Sequence, residues 1–169
     1  MTQNDFIQTI NPFKDKLFRL AKRLLTSTQE AEDATQEVLL KLWNKNQKLN
    51  NYNNIEAFAM TMTKNFCLDQ LKAKRSNNLK IVDDHIDNND TNLLEKLEQQ
   101  DSLMWVNKIM NDLPEQQKII LQLREIEQYE FEEIAKIVNM NENAIRTALS
   151  RARKTVKTSL QNIHNYGLR

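Results

Sequence analysis

Hydrophobic residues recur every three or four positions along most of this 169-residue chain, which is the spacing of one face of an α-helix. The first block with this spacing covers about 5–75. Its apolar side chains follow helical intervals up to Leu24, and Pro12 lies near a predicted helix start. Thr28 offers an N-cap for a helix over AEDATQEVLLKLW. The Asn-rich stretch 44–54 predicts an irregular loop, after which the helical spacing returns.

A polar stretch separates this block from a second helical block. Residues 77–92 have no sustained hydrophobic period, and their acidic composition predicts a flexible linker. Beyond it come an amphipathic helix that stops before Pro114, a helix over EQQKIILQLREIE, a short helix over FEEIAKIVN, a turn at 139–141 and a long final helix. We therefore expect an all-α protein with two small helical domains, 1–76 and 93–169, the second of which forms a helix-turn-helix.

The composition favours helices and argues against a disulfide, a metal site and a membrane span. Gly 1 and Pro 2 are too few for tightly turned β architectures, whereas helices avoid both residues. The single cysteine, Cys67, excludes an internal disulfide, and with only two scattered histidines we expect no metal and no cofactor. The first residues lack a signal-peptide pattern, and no apolar run approaches the roughly 18 residues of a membrane span. We expect a cytoplasmic protein without membrane insertion.

Charge is distributed unevenly, although the formal net charge is only +1. Residues 1–80 carry 13 Lys and Arg against 8 Asp and Glu, whereas residues 81–110 carry 2 against 7. The last stretch, 144–169, holds 6 cations and no acid. Two basic surfaces separated by acidic stretches suit two contacts on one anionic polymer, although ordinary solvated helix faces have the same signature.

The basic stretch near the end of the chain forms the final predicted helix. Its apolar stripe has helical spacing and consists of Ile145, Ala148, Leu149, Ala152 and Val156. The remaining surface is occupied by Arg146, Thr147, Ser150, Arg151, Arg153 and Lys154. A short helix, a tight turn and a longer basic helix make a helix-turn-helix, whose second helix enters the major groove of DNA. Its outward arginines suit guanine edges and phosphates; the alternative is a helical hairpin with a solvated basic face.

The C-terminal block resembles the C-terminal domain of bacterial extracytoplasmic-function sigma factors. Within LPEQQKIILQLREIEQYEFEEIAKIVNMNENAIRTALSRARK, the residues that match the family's pattern are Leu113-Pro114, Glu133-Ile134-Ala135 and Arg151-Ala152-Arg153. AEDATQEVLLKLW and NFCLDQLKAKR likewise resemble the family's N-terminal domain, in the expected order. Together the two matches cover nearly the whole chain.

The chain departs from the family's pattern at four places. Asn139 stands where the turn usually has Gly, and Asn is the next best residue at positive φ. Lys118 occupies the usual Arg position, and Ala148 stands where the recognition helix commonly has a cation. The family's characteristic Trp near the segment that reads the −10 element is absent, and Phe58 and Met60 lie in its neighbourhood.

The predicted helix over 31–43 has a second face without an internal partner. The residues spaced along the side opposite its apolar stripe are Asp33, Gln36, Glu37 and Leu40. A leucine framed by acids and an amide is either a docking stripe for another protein's helix or a solvated face with one stray leucine. The resemblance implies the first, with Asp33, Gln36 and Glu37 docking on the clamp coiled coil of the RNA polymerase β′ subunit.

The resemblance also implies two surfaces that read DNA. The −10 element would be read as a melted strand by the loop around 50–54 and the helix after it, with the candidates Tyr52, Asn65, Asp69, Lys72 and Arg75. The −35 element would be read by the final helix, with the candidates Asn143, Arg146, Thr147, Ser150, Arg151, Arg153 and Lys154. The implied partners are core RNA polymerase, through its β′ clamp and β flap, promoter DNA and an anti-sigma factor. We expect the free protein to be a monomer.

These observations favour a transcription initiation factor that binds core RNA polymerase, directs it to promoters and has no catalytic residues of its own. A stand-alone helix-turn-helix regulator would share the C-terminal signal but would leave AEDATQEVLLKLW and the linker without a role. A helical enzyme would need polar groups converging on a pocket, and no His, Cys or Ser arrangement offers one. A further hypothesis is that the acidic stretch 83–101 covers a basic surface of the free protein.

Overall fold

The computed structural model describes residues 1–78 and 101–167, and every regular element in them is a helix. The N-terminal half contains α1 (Gln3–Ile10), α2 (Lys14–Leu25), α3 (Thr28–Asn44), α4 (Asn46–Leu49) and α5 (Ile55–Asn78). The C-terminal half contains α6 (Asp101–Asp112), α7 (Glu115–Leu121), α8 (Phe131–Val138) and α9 (Glu142–Gly167). The expected all-α fold is confirmed for these residues. The predicted linker beyond residue 78 and the acidic stretch up to residue 100 lie outside the described part of the chain.

The central helix of the N-terminal half is α2, which packs against both α3 and α5. Leu17, Leu20 and Leu24 of α2 are buried, and Val38 of α3 and Met60 of α5 belong to the same core. Residues at these intervals lie on one side of a helix, so the leucines fix which face of α2 turns inward. Because α3 buries its own apolar stripe in this core, its opposite face remains in solvent.

The start of α3 differs from the prediction by one residue. Ser27, and not Thr28, is the N-cap: its backbone is extended, and its hydroxyl accepts a hydrogen bond from the N–H of Glu30 at 3.3 Å. The preceding helix ends at Leu25 and is followed by Thr26, whose φ is 63°. Thr26 and the extended Ser27 therefore separate the two helices, and the capping role falls to Ser27.

The stretch 44–54 was predicted to be an irregular loop, and this is wrong for its first part. Asn46–Leu49 form α4, a single helical turn that ends in the fully buried Leu49. The remaining residues up to Asn54 are exposed. Asn54 begins α5, because its side-chain oxygen accepts a hydrogen bond from the N–H of Ala57 at 2.9 Å. One apolar side chain thus anchors a stretch whose composition otherwise favours turns.

The C-terminal half is arranged around α9, against which α6, α7 and α8 all pack. A single helix was predicted over 115–127, and this is correct only up to Leu121. The chain then forms one π-helical turn over Gln122–Ile126, closed by a hydrogen bond from the N–H of Glu127 to the carbonyl of Gln122 at 3.1 Å. Such turns accommodate one extra residue and occur frequently at functional sites.

The two halves pack against each other and share one hydrophobic core. α2 contacts α7 and the π-helical turn, and α5 contacts α8. The sequence predicted two domains joined by a linker but gave no sign of this contact. Hydrophobic periodicity shows that a face is buried without showing which element covers it.

Candidate functional site

One side of α3 is buried, and the other side is free to meet a partner. The fully buried residues are Ala31, Ala34, Val38 and Leu42. The four predicted docking residues, Asp33, Gln36, Glu37 and Leu40, are all exposed. Leu40 is the apolar residue among them and leaves 54% of its surface in water. This face can pack Leu40 against an apolar position of another helix while the polar groups around it form hydrogen bonds and ion pairs.

Three of the predicted polar residues form one exposed face of α5. Asn65, Asp69 and Lys72 are exposed and lie within about 60° of one another around the helix axis, at ~100° per residue. The face therefore offers an amide, a carboxylate and an ammonium group side by side. Such a row can hydrogen-bond base edges and hold a phosphate.

The cations at the end of α5 differ in their partners. Arg75 reaches across to Glu115 of the C-terminal half, with 3.5 Å between its Nη2 and a carboxylate oxygen. Lys74 pairs with Glu30 of α3. Lys72 makes no ion pair within residues 1–78 and 101–167. Of the three, Lys72 is therefore the one that a phosphate can approach without displacing an acid.

Aromatic rings and lysines lie beside this face of α5. The Tyr52 ring stacks on Phe58, with ring centroids 4.1 Å apart and an interplanar angle of 18°. Lys45 Nζ lies 5.8 Å from the Phe58 ring centroid, and Lys41 Nζ lies 4.7 Å from the Phe66 ring centroid. We call these five residues the aromatic surface. The rings offer stacking faces to unpaired bases, and the lysines offer charge to the phosphates between them.

Of the five residues of the aromatic surface, only Tyr52 was predicted from the sequence to bind DNA. The spacing of some of the others nevertheless indicated that they share a face. Lys41 and Lys45 are four residues apart, and Phe58 precedes Asn65 by seven, so each pair lies on one helical face. The contact between Tyr52 and Phe58 had no such signal. It depends on how α4 returns the chain to α5, which no periodicity describes.

The helix-turn-helix is fixed by polar residues at its helix ends. At the start of α8, the backbone N–H of Glu130 donates to the Glu133 carboxylate at 3.0 Å, as part of a capping box. At its end, Asn139 is left-handed, with φ 54° and ψ 51°, as predicted. Asn141 then caps α9, because its side-chain oxygen accepts from the N–H of Ala144 at 2.8 Å. These contacts set the direction in which α9 leaves the turn.

The two faces of α9 are those that the stripe predicted. Ile145, Leu149 and Ala152 are buried, and Ala148 and Val156 are half-buried. All the predicted DNA-contacting residues are exposed: Asn143, Arg146, Thr147, Ser150, Arg151, Arg153 and Lys154. A helix that leaves a tight turn with a basic outer face has the geometry to reach base edges and phosphates.

Two of the arginines on this face already have partners. The Arg146 guanidinium lies 4.6 Å from the centroid of the Phe131 ring and 3.8 Å from the Glu142 carboxylate. Arg153 pairs with Glu125 of the π-helical turn. Helical spacing predicted which cations of α9 face outward. The contacts add that Arg146 and Arg153 already have protein partners before any ligand binds.

Within residues 1–78 and 101–167, no helix combines the length and hydrophobicity needed to cross a membrane. In the same ranges, His, Cys, Asp and Glu side chains do not gather in groups of three or more that could hold a metal ion. The described surfaces can form hydrogen bonds, stacking contacts and ion pairs with a partner.

Two family models match the chain, one in each half. The model described as Sigma-70 region 2 matches residues 9–77. The model described as Sigma-70, region 4 matches residues 103–156. The first range contains the exposed face of α3 and the aromatic surface, and the second contains the helix-turn-helix.

Individual proteins resemble the chain over almost its whole length. The ECF RNA polymerase sigma factor SigW of Bacillus subtilis is 21% identical, with 95% of this chain and 91% of that protein covered. The solved structure of the sigma factor RpoE in complex with the anti-sigma factor NepR, from Bartonella quintana, has a TM-score of 0.74 at 23% identity, covering 93% of this chain and 97% of the other. CnrH in complex with the cytosolic domain of CnrY has a TM-score of 0.69 at 16% identity, covering 95% and 90%. At these identities the solved structures establish the fold.

Proposed function

This chain belongs to the sigma-70 family as a transcription initiation factor of the extracytoplasmic-function type, and we propose that it binds core RNA polymerase through α3 and reads promoters with both halves. The observation that carries this proposal is the presence of region 2 and region 4 in one chain, in that order. A stand-alone helix-turn-helix regulator would use α9 and would leave the exposed face of α3 without a role.

The proposed contact with polymerase is a helix-to-helix contact on the β′ clamp. Leu40 would supply the apolar contact, and Asp33, Gln36 and Glu37 would supply hydrogen bonds and ion pairs around it. Exposure of all four residues on one side of α3 supports this assignment. The C-terminal half would meet the β flap, which leaves α9 free for DNA.

The proposed −10 contact is with a melted strand. The aromatic surface can stack unpaired bases, and Asn65, Asp69 and Lys72 continue the same face of α5. Arg75 belongs to this set only after it leaves Glu115. We place the flipped base beside Tyr52, because its ring is exposed and already stacked on Phe58.

The proposed −35 contact is major-groove reading by α9. Arg146 and Arg151 would contact base edges, Asn143, Thr147 and Ser150 would add hydrogen bonds, and Arg153 and Lys154 would contact phosphates. The pairing of Arg153 with Glu125 means that this arginine exchanges one anion for another on binding DNA.

We also propose an anti-sigma factor as a partner of this chain. Two proteins with similar folds were solved with partner proteins: the sigma factor RpoE with the anti-sigma factor NepR, and CnrH with the cytosolic domain of CnrY. The exposed Leu103, Met104 and Trp105 of α6 give such a partner an apolar surface to cover.

Binding to bacterial core RNA polymerase, measured by fluorescence anisotropy, tests the docking assignment. Asp33→Ala and Gln36→Ala are each expected to weaken binding by about 1–2 kcal/mol, and the double variant by more, while helicity stays unchanged. Asp15→Ala is the matched control, because Asp15 is an exposed acid on a different helix, α2. Equal affinity of the double variant and the wild type would remove α3 as the docking site.

Run-off transcription tests the function as a whole. Core polymerase with this protein should start RNA at discrete positions on genomic fragments, and core polymerase alone should not. A protein that binds promoter DNA but is not retained by core polymerase would instead be a stand-alone regulator.

A further inference from the structure

The ring of Phe131, the first residue of α8, lies beside two arginines that come from different elements. The guanidinium carbons of Arg124 and Arg146 are each 4.6 Å from the centroid of this ring. Both distances lie within the roughly 6 Å at which a guanidinium is attracted to an aromatic ring. Arg124 belongs to the π-helical turn and Arg146 to α9, so the ring links the segment before the helix-turn-helix to its second helix.

The surroundings of the ring fix its position. Arg124 Nη1 donates to the carbonyl oxygen of Tyr129 at 2.8 Å and lies 3.4 Å from a carboxylate oxygen of Glu130, so the first guanidinium is held by its own segment. Glu130 is also the N-cap of α8 and takes part in its capping box, which fixes the backbone directly before Phe131. The half-buried ring therefore offers α9 a contact surface that is in place before DNA is present.

Of the two partners of Arg146, the ring is the one that leaves its hydrogen-bond donors available. An aromatic ring attracts the charge of a guanidinium but has no lone pair to accept its N–H groups, so these can still donate to a base edge. Glu142 lies 3.8 Å from Arg146 Nη2, and both of these side chains are about half exposed. An exposed ion pair of this length contributes little. The Phe131 ring is therefore the contact that orients Arg146.

Arg151, the other arginine to which we assign base contacts, has no such support. It is exposed, and among residues 1–78 and 101–167 it forms neither an ion pair nor a contact with an aromatic ring. A long side chain that is free in solution loses rotamer freedom when it binds, whereas a side chain that is already held loses less. The two arginines of the same helix face thus differ in how far they are ordered before binding.

We propose that Phe131 is a positioning residue for DNA recognition: its ring holds the Arg146 guanidinium in one orientation and thereby strengthens the preference at the base pair that Arg146 reads. The contact between ring and guanidinium is a property of the free protein. The base pair rests on the proposed function, since that function supplies the −35 element.

NMR spectroscopy of the free full-length protein tests the contact. Protons close to an aromatic ring are shifted by its ring current, so the δ-methylene protons of Arg146 should resonate away from those of Arg151, which serves as the internal reference. Arg146→Lys identifies the resonances by removing them. Phe131→Leu should move the Arg146 resonances to the positions of Arg151. Unshifted Arg146 protons in the wild type overturn the proposal.

Binding isotherms on −35 variants test what the contact does. Phe131→Leu should weaken binding to the preferred sequence by about 2- to 10-fold, because Arg146 must then be ordered on binding. The preference should relax at the same base pair as in Arg146→Ala. The salt slope should stay unchanged, since no charge is removed. Phe131→Tyr keeps the ring and should bind as the wild type does.

Combined substitutions separate positioning from general support of the fold. In an Arg146→Ala background, Phe131→Leu should have no further effect on affinity, because the side chain through which the ring acts is gone. In an Arg151→Ala background, which is the matched control, the full effect of Phe131→Leu should remain. Equal losses in all backgrounds would show that Phe131 only supports α8 and would overturn the proposal. Failure of the proposed function would appear separately, as a wild-type protein that has no −35 preference although its Arg146 protons are shifted.

Discussion

Asn139 is the residue at which a single backbone angle decides how α8 and α9 meet. Its φ of 54° lies in the left-handed region, where a Cβ atom is crowded. Gly has no Cβ atom, and Asn and Asp tolerate the region because their short polar side chains form local hydrogen bonds. We expect Asn139→Ala to lower the free energy of unfolding by about 1–2 kcal/mol and Asn139→Gly to leave it within a few tenths. Urea unfolding followed by circular dichroism measures both.

A matched substitution elsewhere separates the effect of this angle from the loss of an asparagine. Asn162 is an exposed residue inside α9, where alanine is the better helix former, so Asn162→Ala should be neutral or slightly stabilising. If Asn139→Ala were as stable as Asn139→Gly, the turn would not need a left-handed residue, and the angle of the helix-turn-helix would have another origin.

At the scale of elements, the outer face of α9 divides into residues that read bases and residues that hold the backbone. Arg146→Ala or Arg151→Ala should cost about 1–3 kcal/mol on the preferred −35 sequence and relax the preference for it. Lys154→Ala should weaken binding to all sequences alike and reduce the salt slope by about one unit. Binding isotherms on −35 variants at several salt concentrations measure both quantities. A uniform loss across all sequences in the arginine variants would end the assignment of direct base reading to α9.

The sequence predicted those elements whose two faces differ in polarity. The buried stripes of α3 and α9, and the left-handed turn at Asn139, follow from periodicity and from side-chain chemistry within a few residues. Local patterns did not reveal α4, which forms because Leu49 reaches the core, or the π-helical turn over Gln122–Ile126. Both depend on contacts with residues distant in the sequence, and a helical stretch with one extra residue per turn has no compositional signal.

The features of the candidate site also divide into those that the sequence could predict and those that it could not. Exposure of the predicted residues on α3, α5 and α9 follows from which stripe is buried. The partners that distinguish these residues, such as Phe131 beneath Arg146 and Glu115 beside Arg75, come from other elements. Spacing along one helix cannot show them.

At the scale of the whole molecule, the shared core predicts that the two halves unfold together. Trp43 lies in α3 and Trp105 in α6, so Trp105→Phe leaves a fluorescent reporter of the N-terminal half and Trp43→Phe leaves one of the C-terminal half. We expect the two variants to report coincident urea transitions, because loss of either half exposes the core of the other. Arg19 and Arg23 of α2 donate hydrogen bonds to Glu127 and Gln122 of the C-terminal half. Replacing both arginines with glutamine weakens the contact between the halves and should separate the transitions. Separate transitions without these changes would mean that the halves are energetically independent.

The shared core also bears on where a protease can cut this protein. Proteases cleave segments of the chain that are exposed or open locally, and helices packed into a common core open less often. α2 and α7 protect each other in this way, because they pack together across the two halves. Residues 50–54 are exposed and lie outside the helices. A cut in this stretch, which contains Tyr52, would disrupt the aromatic surface while the helices of the core remain packed.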